Sequence, residues 1–431
     1  MSATGIVRSF LSRLFDFLSA TPFRSVLPRI MPSDLYFDEV VARVRKKDKV
    51  NVVFIATSLS LWRYQNLCEL MRAHPRFRVH VVILPFMGYS ESQRLKDVSV
   101  LKAHFESCGI EYHVGGSTTS LDIRKELDPD MLFYPQPYKR LFAKKDDFRS
   151  FKDRLLCYYP YAFWMSKNKW SYNEPLHNCA WKLFYSTELH RKDACEYADN
   201  KGCNVEVVGY PNADDFLFKS HKDVWKPQPT QRKRIIWAPH YSIGTKDLTA
   251  QSNFLWMSDF MMDVAREYSD RVQFAFKPHP RLYTELCKHP DWGEDRTAAY
   301  YSAWSEMDNT QLETTGFIDL FMTSHAMIHD SGSFAVEYHF TGNPVMYVAT
   351  NFNEQVQEKG IFGQLAMKLH YEGKDRQDIV AFIEDVVLGG KDAMKADRER
   401  FKLDYLLPPN GQTVAKNTMD IIIKALDGEI Q

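Results

Sequence analysis

Short apolar runs alternate with helix-like segments along most of the chain, and this alternation constrains the fold more than any other feature. Residues 50–58 (VNVVFIATS) are typical of a buried strand, residues 61–74 (LWRYQNLCELMRAH) of a helix, and residues 77–85 (FRVHVVILP) of a second strand. These three segments predict a βαβ unit. Because the same alternation continues through later segments, the sequence predicts parallel sheets covered by helices on both faces.

A Pro- and Lys-rich stretch at residues 219–234 (KSHKDVWKPQPTQRKR) interrupts the alternation, and a second series of strands begins at RIIWAP. A chain of 431 residues has room for two domains. We therefore predict an α/β protein with two Rossmann-like, doubly wound domains that face each other across a cleft. They are predicted to span residues 46–225 and 226–431, after a lead-in of residues 1–45.

The composition excludes several classes of protein and location. The 55 basic residues balance the 55 acidic ones, so we expect no nucleic-acid partner. Seven cysteines without a CxxC pair favour neither a disulfide framework nor a zinc ribbon, and they indicate a reducing cytoplasm. An uninterrupted apolar run long enough to cross a membrane is missing from the sequence. We therefore expect a cytoplasmic protein.

The N-terminal segment is the one candidate for contact with a membrane surface. Residues 5–19 (GIVRSFLSRLFDFLS) place apolar side chains at helical spacing, and up to residue 30 four arginines stand against Asp16 alone. This pattern predicts an amphipathic helix that binds the inner face of the cell membrane. A helix packed on its own domain or on a sister subunit is the alternative.

The segment AMIHDSGSFAVEYHFTGNPVMYV (residues 326–348) is the most informative motif. A short strand leads into Asp330, Ser331, Gly332 and Ser333, which precede a predicted helix. A helix N-terminus and nearby hydroxyls favour a phosphate, and Glu337 lies one turn further on, within reach of a ribose. A serine-capped helix with no ligand is the alternative.

Two other predicted strands end in residues that suit an anionic ligand or proton transfer. In FKPHPRL (residues 276–282), Lys277 and His279 are each followed by a proline, which stiffens the loop. In WAPHYSIG (residues 237–244), His240 can take a proton from a hydroxyl group. Both motifs also have an ordinary structural interpretation, as a strand end and a structural histidine. The segment GYPNAD (residues 209–214) predicts a helix cap at Asn212 or Asp214.

In this order, GYPNAD, WAPH, KPHP and HDSGSF with EY and NPVMY resemble the CDP-glycerol glycerophosphotransferase family, which includes the teichoic-acid polymerases. The resemblance covers about residues 50–350, and its first βαβ unit is similar to capsule-associated bacterial members. It implies a GT-B fold with the CDP donor held by the C-terminal domain. It also implies that His279 and the turn at residues 331–333 face the pyrophosphate, while Glu337 faces the nucleoside.

The chain departs from the family pattern at three places. Where teichoic-acid members have a His-Gly motif, this sequence reads YPYAFWMSKNKW (residues 159–170). The usual Asp-Tyr-Ser-Ser turn is Asp-Ser-Gly-Ser, and Glu337 replaces an aspartate. His240 is therefore the first candidate for the general base, and His177 and His190 are the alternatives in the N-terminal domain.

The implied reaction is attack by an acceptor hydroxyl on the β-phosphorus of CDP-glycerol, or a related CDP-alditol, with CMP leaving. Candidate catalytic residues are His240 and His279, and candidate donor-binding residues are Lys277, Arg281, Asp330, Ser331, Gly332, Ser333 and Glu337. Candidate acceptor-side residues, for a glycan or lipid-linked acceptor, are Ser58, Trp62, Tyr134, Gln136 and Tyr161. We expect no tightly bound metal or other cofactor, and the pyrophosphate leaves room for a loosely held Mg²⁺.

Two other functions share the predicted fold. A GT-B glycosyltransferase would use a nucleotide sugar in the same place, because the fold does not determine the donor. A non-catalytic GT-B module would serve as a scaffold in a capsule assembly complex, and the altered motifs favour this reading. Measured release of CMP from CDP-glycerol distinguishes the glycerophosphotransferase from the nucleotide-sugar glycosyltransferase and from the scaffold.

Overall fold

The computed structural model describes residues 33–116, 121–243 and 252–429. The amphipathic helix predicted at residues 5–19 lies outside these ranges. Across the described residues, the strands form two separate sheets, one of seven strands and one of six. Every pairing within the sheets is parallel. The predicted architecture of two doubly wound parallel sheets is confirmed.

The first sheet has the order β3-β2-β1-β4-β5-β6-β7. Its strands are β1 (Val50–Ala56), β2 (Phe77–Ile83), β3 (Tyr112–Val114), β4 (Met131–Tyr134), β5 (Leu155–Tyr158), β6 (Lys182–Tyr185) and β7 (Val205–Val207). The central strands are buried because helices cover both faces, which is why they read as continuous apolar runs. Phe54 and Phe133 stack across β1 and β4 with their ring centroids 4.6 Å apart.

The second sheet has the order β10-β9-β8-β11-β12-β13. Its strands are β8 (Lys233–Ala238), β9 (Val272–Phe276), β10 (Thr310–Leu312), β11 (Ala326–His329), β12 (Val345–Val348) and β13 (Tyr371–Gly373). Trp237 packs between Phe254 and Phe276, and these rings form part of the core on one face of the sheet. Strands β9, β8 and β11 are neighbours, so the loops that follow them meet at one edge.

The helices connect the strands and cover the sheets. The first seven are α1 (Ser33–Arg45), α2 (Gln65–Arg72), α3 (Glu91–Ser107), α4 (Lys169–Tyr172), α5 (Pro175–Cys179), α6 (Glu188–Tyr197) and α7 (Ala213–Phe218). They are followed by α8 (Phe254–Glu267), α9 (Leu282–Lys288), α10 (Gly293–Glu306), α11 (Ile318–Met322), α12 (Phe352–Gln357), α13 (Ile361–Met367), α14 (Arg376–Ala381), α15 (Lys395–Phe401) and α16 (Val414–Asp427).

The helix predicted from Ser333 is wrong. Two short 3-10 turns, Gly332–Phe334 and Glu337–Thr341, replace it. Tertiary hydrogen bonds accompany this shape. The Tyr210 hydroxyl donates a hydrogen bond to Glu337, and the Nε2 of His339 lies 3.0 Å from the Ala366 carbonyl oxygen. A pattern of neighbouring residues contains no information about such distant partners.

The last helix returns to the N-terminal half of the chain. α16 packs against α2 and α1, and Arg45 of α1 donates to the carbonyl oxygens of Ala425 and Leu426 at 3.1 and 2.9 Å. The two sheets lie on either side of residue 226, but α16 belongs spatially with the first sheet. The predicted range of residues 226–431 thus includes a helix that packs with the first half of the chain.

Candidate functional site

Three of the predicted motifs meet at the carboxyl edge of the second sheet. β8 leads into His240, β9 into Lys277 and His279, and β11 into Asp330. Because these strands are adjacent and parallel, their following loops share one edge. The backbone N–H of His279 donates to the carbonyl of Pro239 at 3.0 Å, which joins the first two loops directly.

Imidazole rings and cationic side chains lie close together on these loops. The rings of His240 and His279 have centroids 5.1 Å apart, and Tyr241 lies 4.5 Å from His279. The guanidinium carbon of Arg281 is 4.0 Å from the centre of the Tyr241 ring. Burial, together with electrostatic interactions with His240, Arg281 and Lys277, lowers the pKa of His279 to about 4. A ring that is neutral at physiological pH, beside cationic groups, suits an anionic ligand.

Lys277 is held below the surface of this edge. Its side chain is buried, and its Nζ donates to the carbonyl of Thr315 at 2.8 Å. Burial lowers the pKa of Lys277 to about 8. One ammonium proton is used in this bond, so the remaining protons are available to a second acceptor.

Asp330 fixes the site rather than facing a ligand. Its carboxylate is buried and accepts the backbone N–H groups of His240 and Asn253, each at 2.6 Å, and the hydroxyl of Ser252 at 3.2 Å. Burial raises the pKa of Asp330 to about 6. The donor-binding role predicted for Asp330 is replaced by a positioning role, because its oxygens already hold the His240 loop and the start of α8.

The three residues that follow Asp330 differ in exposure. Ser331 is buried, and its Oγ accepts the backbone N–H of Ser333 at 3.1 Å. Gly332 and Ser333 are exposed. The expected phosphate site at a helix N-terminus is not formed, because the turn is only three residues long and one of its N–H groups is already bonded. The Ser333 hydroxyl and the Gly332 backbone are the groups that this turn presents to solvent.

Residues 159–170 form a segment, called the brace, that joins the two halves of the molecule. Met165 accepts the backbone N–H of Gly360 at 2.8 Å, and Ser166 pairs with Lys359 in an antiparallel bridge. A Cβ placed on Gly332 would lie 3.7 Å from the Met165 side chain. The turn after β11 therefore faces the N-terminal half, as expected for a site between two domains.

Glu337 lies at the contact between the two halves. It is 6% exposed, and the Tyr210 hydroxyl donates to its Oε1 at 3.0 Å. Burial raises the pKa of Glu337 to about 7, although Tyr210 and the positive charge of Arg63 lower it. Tyr210 and Arg63 come from the N-terminal half and were not predicted as site residues. The only sequence signal was GYPNAD, which contains Tyr210.

The acceptor-side candidates divide into buried and partly exposed residues. Trp62 and Tyr134 lie in the core, with Trp62 Nε1 donating to Gln65 at 2.8 Å and the Tyr134 hydroxyl to the Asp146 carbonyl at 2.9 Å. Neither side chain is exposed at the acceptor surface for which the sequence predicts it. Of the remaining three, Ser58 and Gln136 are half-buried at strand ends.

Tyr161 is held by contacts from two neighbouring loops. Its hydroxyl lies 3.4 Å from that of Tyr138, which follows β4. Its carbonyl oxygen accepts a hydrogen bond from the Nε of Arg63, which follows β1, at 3.0 Å. The loops after β1, β4 and β5 are thus linked at the carboxyl edge of the first sheet. Arg63 is close enough to influence Glu337, so this edge continues into the contact between the two halves.

The two alternative bases in the N-terminal half are core histidines. His177 is fully buried, its Nδ1 accepts the backbone N–H of Glu174 at 3.0 Å, and burial lowers its pKa to about 3. His190 is also buried, with Nε2 3.1 Å from the Trp164 carbonyl, and burial lowers its pKa to about 4. Neither ring can reach a substrate in this arrangement. Within the described ranges, no group of three or more His, Cys, Asp or Glu residues is arranged to hold a metal ion.

No family model and no curated protein sequence matches the chain. Solved structures do match it. A UDP-GlcNAc 2-epimerase from Neisseria meningitidis bound to UDP-GlcNAc is similar with a TM-score of 0.53 at 14% identity, covering 87% of this chain and 100% of the other.

A variant of the wall teichoic acid polymerase TagF is similar with a TM-score of 0.56 at 12% identity, covering 100% of this chain and 99% of the other. The same variant soaked with CDPG gives a TM-score of 0.54 at 12% identity, with 100% of both chains covered. At such low identity these likenesses concern the fold alone. The chain has the two-domain α/β GT-B fold.

Proposed function

We propose that the protein transfers glycerol phosphate, or a related alditol phosphate, from a CDP-activated donor to a hydroxyl group of a cell-surface glycan or lipid-linked acceptor, with release of CMP. The observation that carries this proposal is the cluster of His240, His279, Lys277 and Arg281 beside the exposed Ser333 turn. It lies at the sheet edge where GT-B proteins have their interdomain cleft. Its charge and hydrogen-bond donors suit a pyrophosphate.

The proposed role of His279 is to bind a donor phosphate as a neutral ring. Its Nδ1 accepts the backbone N–H of Arg281 at 3.1 Å, so the ring proton resides on Nε2. That N–H can donate to a phosphate oxygen, while Arg281 and Lys277 supply positive charge. Charge neutralisation and positioning are the main sources of rate in phosphoryl transfer.

The proposed role of His240 is to take the proton of the acceptor hydroxyl. Its Nδ1 lies 2.8 Å from the Ser242 hydroxyl oxygen and 3.3 Å from the Ser242 backbone nitrogen. The proposed base is the tautomer whose Nδ1–H donates a hydrogen bond to that hydroxyl, because its Nε2 then carries a lone pair. Asp330 holds the backbone of His240 at 2.6 Å and so controls where the ring lies. The oxygen of the acceptor then attacks the β-phosphorus, the bond to the CMP oxygen breaks, and CMP leaves with the electron pair.

A donor panel tests the proposed function. Purified protein is incubated with CDP-glycerol, CDP-ribitol or UDP-N-acetylglucosamine and a membrane extract that contains acceptors, with and without EDTA. We expect CMP from a CDP-alditol and at most a tenfold effect of EDTA, since the protein ligands supply most of the charge. The His279→Ala variant should bind the donor about tenfold more weakly, whereas His289→Ala, at the C-terminal end of α9, serves as control.

A second candidate function is chemistry on a nucleotide sugar. The similarity to an epimerase that is bound to UDP-GlcNAc favours it. The cluster of His240, His279, Lys277 and Arg281 would hold the UDP pyrophosphate in the same way, because both donors contain a pyrophosphate. Turnover of UDP-N-acetylglucosamine without CMP release from CDP-alditols would select this candidate. Absence of turnover with every donor would favour the scaffold.

A further inference from the structure

Two loops at the carboxyl edge of the first sheet are joined into one surface. They are residues 85–90, after β2, and residues 138–145, after β4, and we refer to them together as the β2–β4 platform. The rings of Phe86 and Phe142 pack beneath it with centroids 5.6 Å apart. The backbone N–H of Met87 donates to the Leu141 carbonyl at 3.0 Å. These contacts hold the exposed side chains of both loops in a fixed arrangement.

The platform exposes large apolar side chains beside positive charge. Met87 is 50% and Tyr89 46% exposed. Residues 138–145 (YKRLFAKK) contain four basic residues and no acidic one. The two aspartates that follow, Asp146 and Asp147, are buried, and Asp147 is paired with Arg149. Exposed apolar groups next to cationic ones are the composition of a surface that enters a lipid headgroup layer.

Acidic residues near the platform are few and can be named. Glu91 begins α3 and is exposed. Asp122 and Glu174 are half-buried, and Glu174 is close enough to interact with Lys139. The Nζ of Lys145 donates to the Leu121 carbonyl at 2.8 Å, and its charge acts on the buried Asp146. The four basic residues of the second loop are all exposed and outnumber the three acidic residues at the surface.

We infer that the β2–β4 platform docks on an anionic membrane surface, with Met87 and Tyr89 inserted among the headgroups and the lysines of residues 139–145 bound to lipid phosphates. The exposed apolar pair favours a membrane over a soluble polyanion, which would use the charges alone. The platform adjoins Gln136 and Tyr138 on the loop after β4, so docking there would place the acceptor side of the cleft at the membrane. None of the helices in the described ranges is long and apolar enough to span a bilayer.

The test uses the full chain and vesicles of phosphatidylcholine, alone or mixed equally with phosphatidylglycerol. The triple variant Lys139→Gln, Lys144→Gln, Lys145→Gln should bind the anionic vesicles about a hundredfold more weakly than the parent, since each lysine contributes about fivefold. The double variant Met87→Ser, Tyr89→Ser should bind at least tenfold more weakly, and binding of the parent should fall with salt.

Matched controls carry the same changes elsewhere. Ile361→Ser with Leu403→Ser removes two apolar residues that are more exposed than the platform pair. Lys288→Gln, Lys374→Gln, Lys391→Gln removes three exposed, ion-paired charges. Both controls should bind vesicles like the parent, and circular dichroism checks the fold of every variant. Parental vesicle binding by both platform variants would overturn the inference. So would weaker binding of the lysine variant to soluble polyphosphate combined with parental vesicle binding of the apolar variant, which would identify a polyanion site.

Discussion

His240 and His279 lie on adjacent strand ends, with ring centroids only 5.1 Å apart, yet their environments differ. Burial and neighbouring positive groups lower the pKa of His279, and its Nδ1 accepts the backbone N–H of Arg281. The Nδ1 of His240 lies near both the backbone nitrogen and the hydroxyl of Ser242, and the hydroxyl oxygen can accept a hydrogen bond from the ring. We therefore expect the two rings to fail in different ways when they are replaced.

His240→Ala should lower kcat about a hundredfold or more with donor Kd nearly unchanged, because general-base catalysis contributes about that much. His279→Ala should raise donor Kd about tenfold as well as lowering kcat, since a phosphate hydrogen bond is lost. Calorimetry with the donor and a CMP-release assay give the two constants. Wild-type kcat and pH profile for His240→Ala would exclude His240 as the base, and His289→Ala is the matched control.

Glu337 provides a test that needs no substrate. Its pKa is raised to about 7 from an ordinary value of 4.5, so its contribution to stability is fully present below about pH 4.5 and is lost as the pH rises through 7. Glu337→Gln removes this ionisation and keeps an acceptor for Tyr210. The variant should therefore gain stability relative to the parent, by up to about 3 kcal/mol, between pH 5 and pH 8.

Urea unfolding at both pH values measures this difference, with the exposed Glu294→Gln as control. The difference between parent and variant isolates the one carboxyl from all other titrating groups. An equal effect of Glu337→Gln at pH 5 and pH 8 would contradict the raised pKa.

At the scale of the elements, the segment of residues 159–170 joins the two halves through a close backbone approach. A Cβ placed on Gly363 would lie 2.6 Å from the Met165 carbonyl oxygen and 2.8 Å from its Cβ. Only glycine fits here, so α13 and the brace depend on each other. Phe163 of the same segment stacks on Tyr210 and Phe362, with ring centroids 4.0 and 5.4 Å away.

Gly363→Ala should displace the brace and lower the free energy of unfolding by about 1–3 kcal/mol, the usual cost of overpacking. Turnover should fall as well, since a Cβ on Gly332 would lie 3.7 Å from the Met165 side chain, which makes the brace a neighbour of the Ser331–Ser333 turn. Thermal unfolding and the CMP-release assay measure the two effects. Gly316→Ala, where a Cβ meets nothing within 4 Å, is the control and should behave like the parent. Unchanged stability of Gly363→Ala would show that the brace is not held by this contact.

At the scale of the whole molecule, Asp214 ties the end of the chain to its first half. The carboxylate accepts the backbone N–H groups of Val414 and Ala415 at 2.6 and 3.0 Å, so it caps α16 from 200 residues away. The motif GYPNAD predicted a cap at Asn212 or Asp214, but for the helix that follows in sequence. Asp214 caps the last helix instead, because α16 packs beside α7.

Asp214→Ala should cost about 1–2 kcal/mol of stability, the usual loss when a helix cap is removed. Hydrogen exchange followed by mass spectrometry should show faster exchange in α16 and in α2, which packs against it. Asp215→Ala is the neighbouring control, because its carboxylate contacts Asn66 and Lys219 and caps no helix. Faster exchange confined to α7 in the Asp214 variant would contradict the cap.

The sequence by itself was enough to predict the two parallel sheets and the edge at which the ligands should gather. Apolar runs such as 50–56 and 272–276 form strands because burial on both faces requires continuous hydrophobicity. Once strands are parallel, the residues that follow them must share an edge. The convergence of His240, His279 and Asp330 follows from that geometry alone.

Only the tertiary structure decided what each polar side chain does at that edge. Asp330 has its partners 90 and 77 residues away, and Tyr210 reaches Glu337 across 127 residues. A helix over residues 333–340 was a sound local prediction, but those distant partners hold the chain in 3-10 turns instead. Hydrophobic periodicity is a property of neighbouring residues, whereas a hydrogen bond or a buried charge depends on whichever groups folding brings within about 3 Å.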